Sequence, residues 1–158
     1  MSKVVATKIF SFDMAHRLPG HEGLCKNIHG HTYKLEVTVS RDTPSGIISG
    51  GPSEGMVIDF QALSGLVKTS IVDKLDHACI IYPEEQFDID MLKLMEKHDM
   101  KVVELGYRPT AELMARNFFE LLVKKISKSD VPEIRDLTVV KIRLWETPTA
   151  YAEVTDEV

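Results

Sequence analysis

Scarcity of three kinds narrows this sequence first. Only two cysteines occur in 158 residues, too few for a disulfide framework. In a reducing compartment Cys25 and Cys79 are small core residues or reactive thiols. Net positive charge is absent: the chain carries −5 at pH 7, so no global basic field draws nucleic acid, and an anionic ligand needs local groups or a metal. Long apolar runs are missing too. Nothing approaches the roughly 20 residues that span a bilayer, and MSKVVATKIF has no signal-peptide apolar core, so a cytoplasmic location with no membrane partner is expected.

What remains is the composition of a soluble globular protein, 44% apolar and 27% charged, long enough to bury an ordinary core as one domain, 1–158. Val4 to His16 reads as a strand, with Phe10, Phe12, Met14 and His16 on one parity. A loop from Leu18 to Ile28 follows. Thr32 to Arg41 alternates as a second strand. TPSGIISGGPSEG is a long turn, and MVIDF a short extended segment. Asp59 is placed to N-cap a helix reaching Leu75, with Leu63, Leu66, Val67, Ile71 and Leu75 as its stripe. PEEQFDIDMLKLMEKHDM predicts a second helix. Thr110 opens a third, with Leu113, Met114, Phe118, Leu121 and Leu122 on its apolar face. Strand character returns at Val140–Leu144 and in TAYAEV. Strands, helices, then strands predict an α+β fold with an antiparallel sheet.

The chemistry-bearing stretch is CKNIHGHTY, Cys25 to Tyr33. His29 and His31 share a strand face if the strand begins at or just before them, and His16 joins them if the first two strands pair as a hairpin. Three imidazoles with a fourth position open form a catalytic zinc set; two surface histidines in a turn are the bland alternative. Cys25 has two functional readings: a fourth ligand closing a Cys-His₃ structural site, or a free thiol poised beside an open one. Asp76 and His77 make a carboxylate–imidazole pair only if the preceding helix has ended, since adjacent helical residues diverge by about 100°. A helix-terminal imidazolium favoured by the macrodipole is the competing reading. Glu146 ends an apolar-flanked strand, where a carboxylate is exposed or receives donors. A ligand edge with an amino group beside a ring N–H offers it two parallel donors. The helix dipole explains Glu112 more cheaply. His21 and His98 read as solvated, Cys79 as a core thiol, and Met91 and Met95 as packing residues.

Six pieces in order, FDMAHRL, CKNIHGHTY, MVIDFQAL, LDH, PTAE and WET, resemble the 6-pyruvoyl-tetrahydropterin synthase / 6-carboxytetrahydropterin synthase family from end to end. The resemblance implies a T-fold (tunnelling fold) subunit: a four-stranded antiparallel sheet with helices on one face. It also implies trimeric barrels stacked as a homohexamer, with active sites at subunit interfaces. It implies that His16, His29 and His31 hold Zn2+ and that Cys25 is the catalytic base rather than a ligand. Asp76 and His77 complete the proton-transfer set, Glu146 anchors the pterin ring, and Thr110 and Glu112 line its pocket. The family substrate is 7,8-dihydroneopterin triphosphate. Three residues between Cys25 and His29 resemble the queuosine-pathway enzyme, whose products are 6-carboxy-tetrahydropterin, acetaldehyde and triphosphate, more than the pyruvoyl-forming one. Arg17 and Lys26 are the nearby candidates for meeting triphosphate. The chain departs from the pattern at Ile81, where the family often has Asn, and in longer segments at 43–55 and 83–108. Two readings of other classes compete. One is a non-catalytic zinc-stabilised module; the other is a barrel metal hydrolase, for which the chain falls short of the roughly 250 residues required.

Overall fold

The computed structural model describes residues 3–156; positions 1–2 and 157–158 of the expected span lie outside them. Strand β1 (Val5–His16) and strand β2 (His29–Arg41) run antiparallel in unbroken register, from Val5 opposite Ser40 to His16 opposite His29. Strand β5 (Leu137–Thr147) pairs antiparallel with β2, and β6 (Ala150–Thr155) with β5. These four are the expected antiparallel strands.

The sheet is nonetheless six-stranded, which corrects the expected count. Strand β3 (Ala78–Ile81) runs parallel to β1 and β4 (Val102–Glu104) parallel to β3, giving the order β4-β3-β1-β2-β5-β6. β3 is the four-residue run ACII, buried throughout. So short an apolar run carries no period that separates a strand from a buried helix end.

One face of the sheet is the core face. Phe10, Phe12 and Met14 of β1, Tyr33, Leu35 and Val37 of β2, and Ile142 and Leu144 of β5 are buried there at every second position. Helices cover it. Helix α1 (Phe60–Val67) starts at Asp59, whose carboxylate accepts from Gln61 N at 2.6 Å. The expected helix to Leu75 is continuous in direction but interrupted in type: a π-helical turn (Lys68–Val72) leads into the short α2 (Asp73–Leu75). Within that turn Thr69 donates its hydroxyl to Gly65 O at 2.8 Å, competing for a carbonyl of the helical ladder. The apolar stripe survives: Leu63, Val67, Ile71 and Leu75 are all buried.

MVIDF, expected as a short extended segment, pairs with no strand. Val57 and Ile58 are buried, but the Val57 carbonyl is satisfied by Arg41 Nε at 2.9 Å rather than by a ladder. Helix α3 (Gln86–Lys97) opens on a capping box between Glu85 and Asp88. Helix α4 (Ala111–Ser127) is N-capped by Thr110 and buries Met114, Ala115, Phe118, Leu122 and Ile126. Leu113 and Leu121, expected on that stripe, are half-buried at its margin. A short α5 (Pro132–Arg135) precedes β5. Among the described residues no helix is long and apolar enough to cross a membrane.

Candidate active site

β2 begins at His29, three residues before the expected start, and this carries both histidines into the ladder. Period-two alternation then puts His29 and His31 on one face, and the β1 register brings His16 directly opposite His29. Gly30 between them faces the other way. A Cβ there would come 3.3 Å from Met14 O, tighter than ordinary contact, so the close approach of β1 and β2 favours glycine.

The three imidazoles offer ligand atoms that all lie within 4.8 Å of one another. Nδ1 of His16 donates to Pro109 O at 2.9 Å, and Nδ1 of His29 donates to Asn27 O at 2.8 Å. Carbonyls only accept, so in both rings Nε2 is left with a free lone pair, the arrangement that orients metal-ligating histidines. Nε2 of His31 is buried and has no hydrogen-bond partner. Burial lowers the His16 pKa to about 4, with His29 and His31 adding to the effect. Burial also lowers that of His31, against the opposing pull of Glu146. Two imidazoles oriented by backbone carbonyls and a third with an orphaned nitrogen fit a divalent transition metal with a coordination position open.

Cys25 sits in a 3₁₀ turn (Leu24–Lys26), half-buried, and lies outside that ligand group. It is nevertheless close by. The Tyr33 phenol is pushed up by burial first, then by Glu146, and also by Cys25. Tyr33 was legible only as a strand-core residue. It is fully buried, and its hydroxyl lies 3.5 Å from His16 Nε2 and 3.5 Å from Glu146 Oε2. A phenol held protonated is a donor toward Glu146. The signal for it was parity: Tyr33 follows His29 and His31 on the same strand face.

Glu146 belongs to two neighbourhoods. Its Oε1 is 3.8 Å from His31 Nε2. It also lines a pocket of about 250 Å³ with Leu18, Thr110, Ala111, Glu112, Ala150 and Tyr151. The two residues that the family resemblance grouped with Glu146, Thr110 and Glu112, are therefore brought to it, although 36 and 34 positions separate them from it in the chain. Thr110 reaches the pocket because it caps α4, and Glu112 because it lies in that helix's first turn.

Asp76 and His77 occupy a different place. The helix does end before them: α2 stops at Leu75, and Asp76 is extended. That frees His77 Nδ1 to meet Asp76 Oδ2 at 3.0 Å. His77 has φ +61°, a left-handed conformation that costs about 1–2 kcal/mol in a non-glycine residue. It is held there by its N–H donating to Asp13 O at 2.7 Å, while Asp13 N donates to Asp76 Oδ1 at 3.0 Å. That bond from Asp13 N, and then His77 and Lys101, hold the Asp76 carboxyl below the usual range. Thr32 donates its hydroxyl to Asp13. Asp13 and Thr32 lie on the opposite parity from His16 and His31. Among the described residues no hydrogen bond or ion pair joins Asp76 or His77 to Cys25 within the chain.

Arg17, named as a triphosphate candidate, is 9% exposed and spends its guanidinium on protein acceptors. Lys26 remains exposed, as does His98. His21 is half-buried, with Nδ1 accepting from Gly23 N at 2.9 Å. Cys79 is a buried core thiol.

An α+β fold with helices on one face of its sheet, and three histidines clustered at the loop end of its first hairpin, defines a T-fold protein with a candidate metal centre. The 6-pyruvoyl tetrahydropterin synthase family model matches residues 5–157, and the chain belongs to that family. It is 42% identical over 147 residues to the 6-carboxy-5,6,7,8-tetrahydropterin synthase of Haemophilus influenzae, covering 93% of this chain and 95% of that one. Among solved structures it resembles an uncharacterized protein from Wolinella succinogenes, with TM-score 0.75 and 22% identity over 99% of this chain and all of the other. It also resembles the Caenorhabditis elegans 6-pyruvoyl tetrahydropterin synthase, with TM-score 0.62 and 24% identity over 99% and 98%.

Proposed function

We propose that this chain is a cytoplasmic, zinc-dependent 6-carboxytetrahydropterin synthase, a carbon–oxygen lyase of queuosine biosynthesis. It would convert 7,8-dihydroneopterin triphosphate to 6-carboxy-tetrahydropterin, acetaldehyde and triphosphate. The observation that carries this reading is the shared position of Glu146, which lines the small pocket and stands beside the His16–His29–His31 cluster. A ring held there would present its side chain to the metal centre. The similarity to the Haemophilus enzyme, and the three-residue gap between Cys25 and His29, support the carboxy product.

His16, His29 and His31 would hold Zn2+ through their free ring nitrogens, and the metal would supply Lewis acidity toward the side-chain oxygens of the substrate. Glu146 accepts two parallel bonds from the amino group and ring N–H of the pterin, fixing register. Tyr33, protonated and buried, donates to Glu146 and holds it toward the ring. Cys25, off the metal, removes a proton from the side chain as general base. His77, oriented by Asp76, is the acid–base partner. Because the chain does not bring this pair to its own Cys25, His77 would serve the Cys25 of an adjacent subunit in a homohexamer. The chain is taken as a single T-fold domain, with the 43–55 and 83–108 segments as its extensions.

Turnover of 7,8-dihydroneopterin triphosphate, with the pterin identified and acetaldehyde assayed, tests the reading. Acetaldehyde with the 6-carboxy product is expected. Pyruvoyl product without acetaldehyde would replace it by the pyruvoyl synthase.

A further inference from the structure

The loop that carries Cys25 is tied down by a residue that neither the metal centre nor the ring pocket uses. Arg17 follows His16 directly. Its Nε donates to Lys26 O at 2.8 Å, and beside it Leu18 N donates to Cys25 O at 2.8 Å. These two bonds hold the consecutive carbonyls of Cys25 and Lys26. The far end of the same guanidinium is anchored on the start of α3. Nη1 donates to Asp88 Oδ1 at 2.5 Å and Nη2 to Glu85 Oε2 at 3.0 Å. Glu85 closes the circuit, its Oε1 accepting from Gly20 N at 3.1 Å. The guanidinium also lies over the Phe87 ring at 5.2 Å.

A capping box alone would satisfy Glu85 and Asp88. Asp88 goes further: it is 1% exposed and sends one oxygen back to Glu85 N and the other to Arg17. Burying an ion pair is a poor way to gain stability, since apolar residues of similar volume do as well or better. What the planar, forked guanidinium does supply is direction, with its donors fixed relative to one another.

We propose that Arg17, clamped by Asp88 and Glu85, is a positioning residue that holds the Cys25 loop in register with His16 and Tyr33. The longer 83–108 segment, through the start of α3, would then be a buttress of the active site. This rests on Cys25 being the base of the proposed reaction.

The test uses the zinc-loaded protein and three variants, Asp88→Asn, Arg17→Lys and Glu85→Ala. Native-state alkylation by iodoacetamide is followed by mass spectrometry at Cys25 and at the buried Cys79, alongside kcat and KM. A freed loop raises the Cys25 alkylation rate on the order of tenfold while Cys79 stays unchanged. It also lowers kcat on the order of tenfold to a hundredfold with KM within about twofold. Arg17→Lys, which keeps the charge but not the fork, should be impaired like Asp88→Asn. Cys25 reactivity at the wild-type level, Cys25 and Cys79 rising together, or kcat unchanged despite a freed thiol would each overturn the proposal. Glu85 is partly exposed, so its variant keeps the test open should Asp88→Asn fail to fold. Alkylation needs no turnover: a wild-type chain inactive on the substrate would sink the proposed function, leaving the clamp to be judged on the thiol.

Discussion

His16 and His29 are direct partners at the loop end of the β1–β2 ladder, with ring centroids 4.7 Å apart. His31 lies within 5.3 Å of the first ring and 5.0 Å of the second. The cluster is thus a product of strand register: a one-residue slip would turn His29 and His31 to the other face. His29 is the half-buried member, replaceable without opening the core. His29→Ala should lose more than about a hundredfold in zinc affinity, beyond the 10- to 100-fold typical of outer partners. Metal analysis after dialysis, with circular dichroism as the folding check, measures it.

Cys25→Ala separates an open metal site from a closed Cys-His₃ one. Because Cys25 lies outside the ligand group, the variant should keep about one zinc per subunit and its folded spectrum. Its kcat should fall about 10²- to 10⁴-fold, the usual worth of a general base. Loss of zinc together with unfolding would favour the structural module instead.

Removing the charge of Glu146 should appear in binding. Glu146→Gln gives up a charge-assisted bidentate acceptor worth about 1.5–3 kcal/mol, so KM should rise about 10- to 100-fold with zinc content unchanged. Tyr33→Phe removes only the hydroxyl 3.5 Å from that carboxylate. It should cost less, about tenfold in kcat/KM. Steady-state kinetics on both variants orders them.

Much of this architecture was legible because long strands with one buried face alternate strictly. Phe12, Met14 and His16 share a parity, as do His29, His31 and Tyr33, and a hairpin joins the two sets. Caps were equally plain at Asp59 and Thr110, where a short polar side chain precedes an apolar stripe. The sequence left β3 and β4 unread, because four and three residues carry no usable period. It also left Arg17 misassigned. A guanidinium near a metal motif reads as an anion binder until its acceptor, Asp88, is found 71 positions away. The 35 residues between Thr110 and Glu146 hid the pocket's walls in the same way, although the family resemblance named both.

Acid should destabilise the metal-free protein before it titrates ordinary carboxylates. The buried His16 has a pKa of about 4 when folded, against 6.5 for an ordinary imidazole. Between those values the unfolded chain binds the proton and the folded chain does not, so stability falls as pH drops through the window. At 1.36 kcal/mol per pH unit the full loss is about 3 kcal/mol, complete near pH 4. His31, lowered in the same direction by burial, adds to it. Urea unfolding of chelator-treated protein at intervals from pH 7 to pH 4 measures the slope, and His16→Gln should flatten it.

The separation of Cys25 from the Asp76–His77 pair makes the sharpest prediction. Each half of the proposed proton-transfer set is well built on its own: the thiol beside Tyr33, and the pair held by Asp13 with His77 at φ +61°. A strained histidine, 78% exposed at its side chain, is hard to account for unless something outside the chain meets it. Cys25→Ala and His77→Ala proteins should therefore each keep at most about a hundredth of wild-type activity alone yet recover activity when unfolded together and reassembled. In an equal mixture, about a quarter of sites would pair an intact Cys25 with a neighbour's intact His77 by chance. Activity near that fraction places the two residues on different subunits of one site. No recovery, with mixed oligomers confirmed by native mass spectrometry, means that both act within one chain and that the 17–28 loop must move to bring them together.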